Sequence, residues 1–161
     1  MLMRALVLVV GLAASAISID AQNGTGEGYA DNPYIGTWME DTQRTTYGPG
    51  QKPPLLNTHK WEPWDGNGIR ASILTVDAEG VERRSMYFLK YDYNWYPVIG
   101  EDGRDAIRSR RVDAFTFENQ SRKDGKGGDG PAGRHVFSKD YQTITLVGAN
   151  GRAGRVYKKL R

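Results

Sequence analysis

Few side chains in this chain of 161 residues could do chemistry. It has two histidines, His59 and His135, and no cysteine, which removes thiol catalysis, cysteine-based zinc sites and disulfides together. A histidine metal site needs the two rings close to each other or to carboxylates at ligand spacing, and no such cluster stands in the sequence. No Gly-x-Ser-x-Gly elbow accompanies either histidine, so nothing supports a serine triad. Both therefore read as ordinary strand residues without the partners that catalysis requires. The carboxylate pairs Glu40-Asp41 and Glu101-Asp102 are sequence neighbours, which point to opposite faces of a strand and make poor acid/base partners. The glycine-rich stretch from Gly125 to Gly130 lacks the Lys-Ser/Thr that ends a phosphate loop and opens no helix, so it reads as a loop tip. No residue is assigned a catalytic role, and neither metal nor cofactor is expected.

Aromatic residues carry more information. Trp38, Trp61, Tyr87, Tyr91, Phe115 and Phe117 belong to a large set, and cores consume such side chains first. Where space is left over, aromatics with a few polar groups line apolar ligand pockets. Aromatics interleaved with arginine also hold single-stranded nucleic acid, but the export signal described below speaks against that partner. Along Val81–Tyr91, Arg84, Met86, Phe88 and Lys90 share one face, and Arg83, Ser85, Tyr87, Leu89 and Tyr91 share the other. Arg108 and Arg110 share a face with Ala106 and Val112. An arginine turned inward must be paired or await an anion, and one turned outward is simply solvated.

These residues must be positioned by strands. The chain opens with Met1-Leu2-Met3-Arg4, an apolar run from Ala5 to Ala14, and small-residue exits at Ala16 and Ala21, the build of an export signal. The reading is a signal peptide over 1–21, cleaved after 16 or 21, then a Gly-rich flexible leader over 22–31 and one domain over 32–161. From Tyr34 onward, short alternating segments recur every 8–12 residues, separated by turns such as Asp65-Gly66-Asn67-Gly68, Asp77-Ala78-Glu79-Gly80 and Gly148-Ala149-Asn150-Gly151. No window holds a 3.6-residue period over a helical length. Short connections favour up-and-down neighbours, and closing the sheet removes its edges. The expected fold is all-β: a single up-and-down antiparallel barrel of 8–10 strands. The charge is uneven, with eight Lys/Arg against thirteen Asp/Glu through Gly103 and fourteen against six from Arg104. Such asymmetry either marks an anion-binding surface or pairs off between adjacent strands.

Gly36-Thr37-Trp38, at the start of such a barrel, resembles the opening motif of the lipocalins and the wider calycin group. More of the chain is similar to uncharacterised secreted bacterial proteins with a lipocalin-like barrel. The matching stretches are Asn32 to Trp38, Tyr91-Asp92 through Gly100, Arg111-Val112-Asp113-Ala114 and Ser138-Lys139-Asp140. The resemblance implies that Gly36 and Trp38 close one end of the barrel beneath an arginine of the last strand. Arg155 matches that role by position, with Arg134 the other candidate. It also implies, by analogy of shape, that Trp61, Tyr87, Tyr91, Arg108 and Phe115 line or rim a cavity. The expected function is non-catalytic binding of a small apolar or amphipathic molecule by a secreted or periplasmic protein, without nucleic acid or stable membrane insertion. The alternatives are a barrel isomerase or cyclase of the allene-oxide-cyclase type, and a packed barrel acting as an envelope interaction module. The sequence leaves the oligomeric state open.

Overall fold

The computed structural model describes residues 32–160, so the expected signal peptide and leader lie outside the described residues. Eleven strands follow in order: β1 (Gly36–Glu40), β2 (Leu56–Trp64), β3 (Gly68–Val76), β4 (Glu82–Leu89), β5 (Tyr96–Ile99), β6 (Ala106–Arg111), β7 (Thr116–Lys123), β8 (Lys126–Gly127), β9 (Gly133–Phe137), β10 (Thr143–Val147) and β11 (Ala153–Lys159). Ten of them form a closed antiparallel ring. Each strand from β2 to β7 pairs with its predecessor, β7 pairs with β9, β9 with β10, β10 with β11, and β11 returns to β1. The remaining strand, β8, is a two-residue stub hairpinned onto the end of β7. The described residues contain no helix, and therefore none long and apolar enough to cross a membrane.

The turns expected from sequence close the hairpins. Asp65 and Gly66 both take positive φ, 40° and 74°, in the three-residue connection between paired Trp64 and Gly68. Asp124 and Gly125, at 49° and 73°, repeat the pair in a tight two-residue turn between paired Lys123 and Lys126, whose twist suits its flanking strands. That repeat corrects one expectation: the Gly125 to Gly130 stretch is not simply a loop tip. The Asp-Gly pair carries the ladder on through Arg122↔Gly127 and Lys123↔Lys126.

Alternation fixes what faces the lumen. Trp61 stands opposite Ala71 on β3 and Gly36 on β1, so two small residues make room for one large ring. Ala71 pairs with Tyr87, and Tyr87 with Val98, completing a buried layer. The inward face of β4 is thus the one carrying Ser85, Tyr87 and Leu89. On β6 the inward residues are Ile107 and Ser109, leaving Arg108 and Arg110 outside.

One end of the barrel is packed solid. Tyr34 sits there with its ring 4.8 Å from Phe137 and 4.9 Å from Phe117, and its hydroxyl donates to the Ala114 carbonyl at 2.9 Å. Trp38 lies beside this cluster, wholly buried, its Nε1 donating to the Tyr34 carbonyl at 3.0 Å. The cation over the Trp38 ring is Lys159, 5.2 Å from its centroid, and not Arg155. Lys159 Nζ also donates to the Pro33 carbonyl at 2.8 Å. Register explains the correction: Lys159 pairs with Trp38, whereas Arg155 lies four residues back along β11, about 13 Å toward the other end.

Gly36 owes its place to the same lysine. Its φ is +138°, and a Cβ built there would come within 2.8 Å of Lys159 Cε. A side chain would have to take a strained backbone conformation and displace the lysine from Trp38. Gly36→Ala is expected to destabilise the fold by about 2–3 kcal/mol, read as a lower urea midpoint; an unchanged midpoint would show that the close approach is not required.

Candidate functional site

The opposite end of the barrel is open and polar. A cavity of about 680 Å³ occupies this mouth, lined by Asn57, His59, Ile73, Ser85, Arg104, Leu146, Arg155 and Tyr157 among others. A smaller recess of about 350 Å³ shares Arg104 and Leu146 with it and reaches His135 and Asn119. A depression of about 490 Å³ on the outer wall, at Thr58, Lys60, Leu74, Met86 and Ile99, shares Ile73, Arg84 and Ser85 with the mouth but reaches neither histidine nor Asn57 nor Tyr157. The lumen therefore holds the chemistry.

The polar wall of the mouth is a connected network. Glu40 is buried at the end of β1, yet both its oxygens are satisfied: Tyr47 Oη donates to Oε1 at 2.8 Å and Asn57 Nδ2 to Oε2 at 2.7 Å. Asn57 Nδ2 also donates to Tyr157 Oη at 3.1 Å, and Thr75 Oγ1 donates to Asn57 Oδ1 at 3.3 Å. Such satisfaction is what a buried carboxylate and amide require. Across the mouth Arg104 grips Glu101 bidentately, Nε to Oε2 at 2.7 Å and Nη2 to Oε1 at 2.8 Å.

Both histidines point into this space. His59 precedes Trp61 by two residues and His135 precedes Phe137 by two, so each shares the inward face of its strand. The His59 ring stands 4.5 Å from Tyr157, and His135 lies 5.9 Å from Trp61. Both rings are half-buried within the lumen. That burial pushes His59 down to about 3, helped by the nearby His135, Arg155 and Arg104, and pushes His135 down to about 4, helped by Arg104. Both imidazoles are therefore neutral at pH 7, each holding one donor and one acceptor nitrogen. Burial likewise raises the Tyr157 phenol, so its hydroxyl keeps its proton. Beneath them the Trp61 indole Nε1 is buried without a hydrogen-bond partner among the described residues.

The structure distributes the sequence-derived candidates unevenly. Trp61 and Tyr87 form the layer between the packed end and the cavity: Trp61 touches Trp38, Phe137 and His135, and Tyr87 lies 5.5 Å beneath the Arg104 guanidinium. Tyr91 and Phe115 belong to the packed end instead. Tyr91 stacks on Phe117 at 4.1 Å, and Phe115 rests on Tyr141 at 5.3 Å. Arg108 is on the outer wall, its guanidinium 4.2 Å from Tyr93 and 4.6 Å from Trp95, and it donates to Gln120 Oε1 and the Gly128 carbonyl. It fastens the β4–β5 connection rather than rimming the lumen. Arg155, expected at the closed end, is at the mouth. His59, His135, Asn57 and Tyr157 were legible only as alternating positions beside aromatic core residues; nothing local to any of them signals a shared cavity.

Among the described residues no group of three or more His, Cys, Asp or Glu side chains could hold a metal ion. The arrangement offers hydrogen bonding by neutral groups, a cationic rim and an apolar wall from Ile73 and Leu146. No protein-family model, curated protein or solved structure matches the chain.

Proposed function

We propose that this barrel is a lipocalin-like carrier that binds a small apolar or amphipathic molecule in its open mouth and does not transform it. The observation that carries the reading is the cavity of about 680 Å³, in which Ile73 and Leu146 form a small apolar wall beside Asn57, His59 and Tyr157, beneath a charged rim that includes Glu101, Arg104 and Arg155. That combination is the general character of small-molecule sites. The same space counts against a fully packed interaction module. The outer wall carries Lys60, Glu62, Arg70, Arg84 and Arg110, charges that are costly on a lipid face, which supports a barrel working in water. Export follows from the sequence reading of residues 1–21.

The test is titration with the neutral fluorescent probe N-phenyl-1-naphthylamine. Saturable binding at one site is expected, with Leu146→Trp weakening it by about tenfold by filling the apolar wall. Thr75→Trp, nearer the rim, serves as a second obstruction if the first variant fails to fold. No saturable binding to the native protein, or full binding by both variants, would overturn the site.

A barrel isomerase or cyclase is the second reading. It is favoured by the two neutral imidazoles and the Tyr157 hydroxyl sharing the lumen, since a neutral imidazole can accept a proton and a phenol can donate to a developing oxyanion.

A further inference from the structure

We infer that the outer wall of β6, β7 and β9 is a docking surface for an acidic polysaccharide, whose charged groups meet Arg108, Arg110, Arg122 and Arg134. This surface is separate from the proposed site in the lumen. The basic second half of the chain does not pair off against the acidic first half. Among the described residues only two ion pairs join the halves, Arg104 to Glu101 at 2.7 Å and Arg155 to Glu40 at 3.6 Å. Strand order is the reason. β6 and β7 pair with each other and β7 with β9, while the flanking strands β5 and β10 carry no charged residue. The basic strands therefore have no acidic strand beside them.

Register puts the four arginines on one face. Arg108 stands opposite Gln120, Arg110 opposite Glu118, and Glu118 opposite Arg134. Arg122 lies two residues beyond Gln120 and shares its face. Glu118 is the one carboxylate on these three strands. Its side chain is 12% exposed beneath Arg110 and Arg134, which are 58% and 54% exposed, so the face stays positive. Asp105 and Asp113 sit in turns at the strand ends, where each accepts a backbone N–H.

Aromatic rings take the place of carboxylates here. The Arg108 guanidinium lies 4.2 Å from Tyr93 and 4.6 Å from Trp95, Arg122 lies 4.5 Å from Trp95, and Arg110 lies 5.7 Å from Tyr93. Gly128 lets the chain close on Trp95: its φ is +89°, and a Cβ there would come within 2.5 Å of the ring. A ring restrains a guanidinium without cancelling its charge. Arg108 donates to the neutral oxygens of Gln120 and Gly128, and Arg122 has no ion pair among the described residues. Arginines held in this way lose little freedom on meeting an anion, and their planar forks suit carboxylate and sulfate groups. Guanidinium groups already lie over both rings, so a stacking nucleic-acid base would have to displace them, which favours a polysaccharide over a single strand.

Isothermal titration with alginate and dextran sulfate, against neutral dextran and oligothymidylate, tests the surface. Binding of at least one acidic polysaccharide and none of dextran is expected. The double variant Arg122→Gln, Arg134→Gln is expected to weaken that binding by about tenfold or more. Lys60→Gln with Arg70→Gln removes the same charge from the wall of β2 and β3 and is expected to change it by less than about twofold. Arg122→Lys with Arg134→Lys, which keeps the charge and loses the fork, should fall between. A urea midpoint for each variant confirms that it folds.

Failure of both acidic polysaccharides overturns the surface. Equal weakening by the two glutamine doubles also overturns it, because attraction would then follow net charge alone. Tighter binding of oligothymidylate than of either polysaccharide overturns the choice of partner.

Discussion

Trp38→Ala is expected to lower the stability of the barrel by about 3–5 kcal/mol, the range for removing a large aromatic from a packed core. Trp38 has no exposed surface and does three things at once. It packs against Trp61 and Phe137, with ring centroids at 6.2 and 5.7 Å. It satisfies the Tyr34 carbonyl through its Nε1, and it seats the Lys159 ammonium that reaches on to Pro33. Alanine would leave a cavity beside the Tyr34 cluster, orphan that carbonyl and release the segment that crosses the closed end. Trp38→Phe keeps most of the apolar surface and loses the hydrogen bond, so about 1–2 kcal/mol is expected. Equilibrium urea unfolding measures both. A loss below about 1 kcal/mol for the alanine variant would show that this end is not held by Trp38.

Acid is expected to weaken the fold well before the carboxylates titrate. An unfolded chain holds each histidine near 6.5, whereas the folded barrel holds His59 at about 3 and His135 at about 4. Between pH 6.5 and about 4 the unfolded state therefore binds more protons than the folded one, and stability falls as pH falls. It is fully present above the unfolded value and declines through this window. Each histidine contributes at most about 1.4 kcal/mol per pH unit, and access of water to the cavity reduces that bound. Glu62, Asp92, Asp113, Glu118 and Asp140 also have lowered values, and their stabilisation begins to be lost as pH falls through about 5 toward the ordinary carboxylate value. Urea midpoints at intervals between about pH 7.5 and 5 isolate the histidines. The native protein should weaken steadily, and the double variant His59→Leu, His135→Leu should not. A flat native profile across that window would mean that the rings are open to bulk water.

Much of the architecture was readable because strands announce themselves locally. The alternation of Ile69, Ala71 and Ile73 against Arg70 and Ser72 defines both the extent and the two faces of β3, and Asp65-Gly66 defines its hairpin with β2. The same chemistry at Asp124-Gly125 was equally legible, but the glycines and charges around it read as a loop. Gly36 and Trp38 both lie against Lys159. Their cation was not identified, because Arg155, Tyr157 and Lys159 all lie on the inward face of β11 and only the register Lys159↔Trp38 chooses among them.

The site was much less legible. His59 and His135 lack chemical partners anywhere near them in sequence, and each alone is an unremarkable strand residue. Closing β7 onto β9 and β11 onto β1 turns both strands' inward faces toward one lumen, beside Tyr157 and Arg155 from the last strand. Sequence alone determined the strand class, the turns and the two alternating faces, since these depend on neighbours one to four residues apart. Tertiary structure alone decided which end is filled, which arginines reach the mouth and which polar groups share a cavity. Those outcomes depend on the register between strands far apart in the chain, where a shift of one residue turns every inward side chain out.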